Sequence, residues 1–221
     1  MKWKMPDNFL KEDLLLSKID TLIFVASAAS VNRQDELVSG IARAFKNGAE
    51  AQEVYEAMLQ TYLFAGFPAA LEGLSTFEKF LKENSINFTS ESHEEYNVNV
   101  FKIRGEALCR EIYTSAYEKM RTRVGKLSPE LDEWMIVEGY GKTLSRGILK
   151  TVERELIIVG ILAVLGWKNQ LFSHIRGAIN AGANEDDCRR VLKNVSTLST
   201  QHNSELAESV FHSVLESFQK V

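Results

Sequence analysis

Apolar residues recur along most of this chain three and four positions apart, the spacing that lines one face of a helix, and nowhere convincingly at the alternate spacing of a half-buried strand. Residues 18–31 read as an apolar helix and 34–47 as an amphipathic one closed by Gly48. A helix over 51–64 follows, with Val54, Ala57, Met58, Thr61 and Tyr62 as its stripe; Gly66-Phe67-Pro68 breaks it before another helix through about residue 82. The stretch 84–103 is polar and reads as a linker. Residues 104–123 carry Leu108, Ile112, Ala116 and Met120 at helical spacing. Ser128-Pro129-Glu130, a cap followed by proline at the first helical position, opens a helix over 131–137 that Glu138-Gly139-Tyr140-Gly141 is expected to end.

The most apolar run is 152–165, with Thr151 as a candidate N-cap and Gly166 as the residue that ends it. Its length is that of a buried helix and too short for a membrane span. A second helix over 169–181 turns Leu171, Ile175, Ala178 and Ile179 inward, and Gln170 and His174 share an edge of that face. Cys188, Val191, Leu192 and Val195 form another stripe, and Leu206, Val210, Phe211, Val214, Leu215 and Phe218 mark a last helix over 204–219. The expected fold is all-α.

A shift of 134 residues without a gap aligns Leu22 with Leu156, Val25 with Val159, Leu37 with Leu171, Ile41 with Ile175 and Ala44 with Ala178; Gly48-Ala49 then meets Gly182-Ala183. Such coincidences at core and cap positions read as a duplicated unit, with 1–83 as the first repeat, 84–103 as the linker and 104–221 as the second repeat. In the first copy Thr21 stands where the second has Glu155, Arg33 where it has Trp167, Glu36 where it has Gln170, and Gly40 where it has His174. The packing residues are kept and the polar ones are not.

The chain has 221 residues, 45% of them hydrophobic and 25% charged, which is the composition of a soluble globular protein. A net charge of −4 without a basic block argues against a nucleic-acid partner. No segment is long and apolar enough for a membrane span, and MKWKMPDNFLKED lacks the apolar core of a signal peptide, so the expected location is the cytoplasm. Cys109 and Cys188 stand in no metal or redox spacing and read as structural thiols.

Chemistry concentrates in 151–183. Glu155 precedes Leu-Ile-Ile-Val and so borders the core, where a lone charge is costly, and it can meet His174 across the helical hairpin. A carboxylate that orients an imidazole and stabilises its protonated form is a proton relay. The plainer alternatives are a hydrogen-bonded core histidine, and a Glu155 that serves the helix dipole or pairs with Arg154 or Arg176. Trp167 reads as a turn anchor or a substrate contact, Gln170 as a local hydrogen-bonding group or another contact. Arg146 reads as an exposed loop residue or an anion holder. His93 falls in the linker, and His202 and His212 show no metal-ligand pattern.

The Arg-Glu-Leu of 154–156, the apolar run after it and the phrase H-I-x-x-A-x-x-A-G-A from His174 to Ala183 resemble the carboxymuconolactone decarboxylase family and the wider alkylhydroperoxidase D-like superfamily. QTYLFAGFPAAL in the first half is similar to the same superfamily. The peroxidase branch carries a Glu, then twelve residues on a C-x-x-C pair, then a His four residues later; carried over, the Glu is Glu155 and the His is His174, but the cysteine positions are Trp167 and Gln170. The resemblance therefore implies the decarboxylase side: a helical, homo-oligomeric protein, a dimer or trimer, acting on a small carboxylated lactone or related acid without metal or cofactor, with Glu155 and His174 as the catalytic pair. RGEALCREIY and EGYGKTLSRGIL are similar to segments preceding the signature in decarboxylase-branch relatives, which makes Tyr113, Glu138, Tyr140 and Arg146 candidate substrate contacts beside Trp167 and Gln170. An alkylhydroperoxidase-type antioxidant enzyme and a non-catalytic small-molecule binder are the competing expectations.

Overall fold

The computed structural model describes residues 16–90 and 96–219; the signal-peptide reading of the N-terminus and the placement of His93 fall outside the described residues. Two helical hairpins form the centre. In the first, α1 (Lys18–Ser30) packs on α2 (Gln34–Lys46), and in the second α8 (Thr151–Leu165) packs on α9 (Lys168–Asn180). The two most apolar helices, α1 and α8, lie against each other, which is how each hides a surface apolar on nearly every side. Their approach is close: a Cβ at Gly160 would lie 2.7 Å from Ile23 Cγ2 and 2.8 Å from Ser27 Oγ.

Around this centre stand α3 (Ala51–Leu59), α4 (Tyr62–Glu83), α5 (Val98–Tyr113), α6 (Tyr117–Leu127), α7 (Pro129–Trp134), α10 (Glu185–Val195) and α11 (Gln201–Gln219). The described residues contain no strand, so the fold is all-α. Local signals explain several ends. Ser17 caps α1, accepting from Asp20 N–H while the Asp20 carboxylate accepts from Ser17 N–H, and Asn184 and Asp187 do the same for α10. Gly166 ends α8 at φ 75°, in the left-handed region glycine enters without strain.

The bounds of several helices fall 134 residues apart: 34 and 46 against 168 and 180 for α2 and α9, and the starts of α3 and α10 at 51 and 185. Several expectations need correction. The helix expected over 51–64 is interrupted at Gln60 and Thr61, and α4 bends at Gly66, whose φ of 83° accommodates the break that Pro68 reinforces. The linker is shorter than 84–103, because α5 begins at Val98 and already buries Phe101. The helix read over 104–123 is two helices, parted by a 3₁₀ turn at Thr114–Ala116 where Thr114 has φ 48°. Thr151 is the first residue of α8 rather than its cap; Glu153, not Glu155, serves the first turn by accepting from Lys150 N–H at 2.8 Å.

The largest departure is at Glu138-Gly139-Tyr140-Gly141, which does not end a helix. Met135–Leu144 continues from α7 as a π-helix, and its glycine serves contact instead of chain reversal. A Cβ at Gly141 would sit 1.9 Å from the Phe101 carbonyl oxygen, and one at Gly105 would sit 2.1 Å from that of Ile136. The backbones of α5 and the π-helix therefore touch with nothing between them, which fixes Tyr113 and Tyr140 relative to each other.

Candidate functional site

Glu155, fifth residue of α8, and His174, seventh of α9, face each other across the second hairpin. The Gly166 turn sets the two arms in register, and His174 Nδ1 lies 2.9 Å from Glu155 Oε2. Glu155 is 1% exposed and His174 6%. With Glu155 ionised, Nδ1 carries the hydrogen and donates it, which leaves Nε2 as the nitrogen that can exchange a proton with a ligand. Phe64, just before the α4 bend, stands edge-on to the imidazole with ring centroids 5.5 Å apart.

The room for the carboxylate comes from a glycine. A Cβ at Gly177, one turn beyond His174, would lie 2.5 Å from Glu155 Oε2 and 2.8 Å from Ile112 Cγ2. In an ordinary helix interior Gly→Ala gains roughly 0.5–1 kcal/mol. At Gly177 the sign should reverse: Gly177→Ala is expected to lower stability by about 1–3 kcal/mol through overpacking and to displace Glu155 from His174. A thermal melt reads the first effect, and the ring-nitrogen NMR shifts of His174 read the second; an Ala variant as stable as the parent with unchanged shifts would refute the assignment.

Two phenols lie within reach of the Glu155 charge. Tyr140 donates to the Tyr113 hydroxyl at 3.1 Å, with the rings edge to face. Burial, the largest cause, raises the pKa of both, and the Glu155 charge adds to it, so both stay neutral hydroxyls. Cys109, on the same helix as Tyr113, is fully buried, and desolvation pushes its thiol up to about 12. Cys188 is likewise buried and raised to about 11. Neither thiol is a nucleophile at neutral pH. Both are expected to resist iodoacetamide in the native protein and to react in denaturant, and fast alkylation of either under native conditions would contradict this.

The other sequence candidates are dispersed. Arg146 gives its guanidinium to Glu56, with Nε 2.9 Å and 3.0 Å from the two carboxylate oxygens and Nη2 2.7 Å from one. Arg154, offered above as a partner for Glu155, instead reaches Glu56 Oε2 at 2.8 Å, Gln60 Oε1 at 3.0 Å and the Arg146 carbonyl. Glu138 points outward to Tyr96 and Lys142, both at 2.7 Å. Trp167 and Gln170 are exposed; Gln170 shares an edge with His174 but lies on its solvent side. Sequence reasoning missed Phe64 and Gly177 as parts of the site, whereas Ile112 and Cys109 are the buried helix residue and structural thiol expected. Only Gly177 left a signal, as a lone glycine inside an otherwise regular amphipathic helix.

The corresponding place in the first hairpin is shut. The Thr21 hydroxyl donates to the Lys18 carbonyl at 2.6 Å, and Arg33 and Glu36 pair with each other at 2.6 Å. A Cβ at Gly40 would already meet Phe24 Cδ1 at 3.0 Å and Val25 Cγ2 at 3.2 Å, leaving no space for an imidazole. Among the described residues no group of three or more His, Cys, Asp or Glu could hold a metal, and no helix is long and apolar enough to cross a membrane.

Residues 129–202 match the family model described as the carboxymuconolactone decarboxylase family. The matched segment holds the π-helix, α8, α9 and α10, and thus both Glu155 and His174. A search of curated proteins finds no match to the chain.

Proposed function

From residues 129–202 as a carboxymuconolactone decarboxylase family segment, we propose that this protein decarboxylates a small carboxylated lactone or related acid, with the Glu155–His174 pair moving the proton. The observation that carries this reading is the 2.9 Å contact between two buried groups of opposite tendency, with one imidazole nitrogen left over. Loss of CO₂ breaks the bond from the α-carbon to the carboxylate and leaves its electron pair on that carbon, where an adjacent carbonyl delocalises it. Protonated His174 then gives its Nε2 proton to the carbon, Glu155 having stabilised the imidazolium through Nδ1, and solvent returns the proton to the ring. The Phe64 ring and the apolar walls of the hairpin exclude water from the departing carboxylate. Arg146 remains a candidate holder of a substrate anion only in so far as Glu56 shares it.

The direct test is CO₂ release from a panel of carboxylated lactones by the purified protein. Saturable binding without release would favour a non-catalytic binder, and thiol-dependent peroxide consumption would favour the antioxidant reading, which the two buried thiols already disfavour.

The chain is further proposed to be cytoplasmic and to form a dimer or trimer. Phe67 and Leu71, one turn apart on α4, are 68% and 63% exposed, an apolar surface that assembly would cover. Sedimentation at micromolar concentration should give a multiple of 25.0 kDa, and a single-chain mass would refute assembly. The matched helix bounds support reading the halves as one duplicated unit.

A further inference from the structure

Among the described residues three ion pairs cross between the halves; besides Arg146–Glu56, the other two are, under the 134-residue offset, the same contact with the charges reversed. Arg154 Nη2 of α8 meets Glu56 Oε2 of α3 at 2.8 Å; Arg190 Nε of α10 meets Asp20 Oδ1 of α1 at 2.8 Å. Position 20 corresponds to 154, and 56 to 190. Each pair is also accompanied by the same amide bond: Gln60 Nε2 donates to the Arg154 carbonyl at 3.3 Å, and Asn194 Nδ2, its counterpart, donates to the Asp20 carbonyl at 2.7 Å. The geometry has been kept while every sign has been exchanged.

The consequence is that one half carries both acids and the other both bases. Asp20, Glu56 and Arg154 are buried, so these charges are poorly screened and a mismatched neighbour could not be hidden by solvent. If the α1–α3 face met a second copy of itself in this geometry, Asp20 would face Glu56 twice; if the α8–α10 face did so, Arg154 would face Arg190 twice. We propose that the reversed pairs are a matching code by which the acid-bearing α1–α3 face accepts only the base-bearing α8–α10 face as its partner and rejects a second copy of itself. The sign of the charge does what shape cannot, because two related halves present similar apolar surfaces to each other.

The Asp20–Arg190 pair allows a test in the full chain, since Arg190 is 44% exposed and its replacement leaves the core intact. Thermal melts are measured for R190Q, R190D, D20R and the double variant D20R/R190D. Asp20 also caps α1 through Ser17, and that loss is common to D20R and the double variant, so it cancels between them. The code requires R190D to melt below R190Q, because the introduced carboxylate faces Asp20 instead of merely removing its partner. It also requires the same R190D change to raise the melting temperature in the D20R background, each by roughly 2–4 °C or more. Asp187 lies beside Arg190 on α10 and could penalise a carboxylate there by itself, but it would do so in both backgrounds. A lowering of the melting temperature by R190D in both backgrounds, or equal melts for R190Q and R190D, would overturn the proposal.

Discussion

His174→Gln and Glu155→Gln should each lower turnover of a carboxylated lactone by about 10²-fold or more, the usual scale of general acid-base catalysis. Gln in place of His174 keeps a polar group beside Glu155 but removes the titratable nitrogen. Gln in place of Glu155 can still contact Nδ1 at the 2.9 Å position, but a neutral amide no longer stabilises the imidazolium that the proton transfer requires. Because the two act as one unit, the double variant should be little worse than either single one. A purely structural pair behaves differently: its loss would cost roughly 1–3 kcal/mol of stability and leave turnover per folded molecule unchanged. Melting temperature and turnover measured on the same samples separate the two outcomes.

Glu56→Gln should be strongly destabilising, by about 3–5 kcal/mol, the scale for removing one partner of a buried ion pair. Glu56 is wholly buried between two guanidiniums, and its loss would leave Arg154 buried without its counter-ion and Arg146 without its bidentate partner. Burial alone would raise the Glu56 pKa, yet the hydrogen bonds and charges of Arg146 and Arg154 outweigh it and hold the carboxyl below its usual range. A group depressed on folding contributes stability that is fully present above its unfolded pKa, near 4.3, and is lost as the pH falls through the folded value. Acid titration of the parent should therefore show a steep loss below about pH 4 that is shallower in Glu56→Gln. Denaturant unfolding that finds the variant within about 1 kcal/mol of the parent would contradict the role assigned to this carboxylate.

The helices of the two central hairpins were legible because each carries its own punctuation. A three-and-four apolar spacing and a glycine in the left-handed region at Gly166 suffice to place α8 and α9 within a residue or two, and their antiparallel return brings Glu155 to His174. What escaped has causes far away in the chain. Gly141 looks like a helix breaker in isolation, but it is glycine because the Phe101 carbonyl lies where its Cβ would be. Arg146 looks like an anion holder because its partner, Glu56, is 90 residues away. Gln170 has the right spacing to share a site with His174 and the wrong azimuth, since the edge it occupies turns to solvent. Periodicity gives a face to within a residue's rotation, and a site needs finer aim than that.

The π-helix of Met135–Leu144 has a consequence for how this chain tolerates changes in length. The Thr143 hydroxyl donates to the Glu138 carbonyl five residues back, at 2.9 Å, a span that belongs to the widened turn. Such a turn holds a residue that an α-helix would not need, so loss of one residue here would tighten the segment to regular winding and keep it helical. Each residue of an α-helix sweeps about 100°, so the same loss would turn Tyr140 away from Tyr113 while leaving secondary structure content nearly unchanged. A deletion in this stretch would keep the helical signal and still part the two phenols on which the Glu155 charge acts.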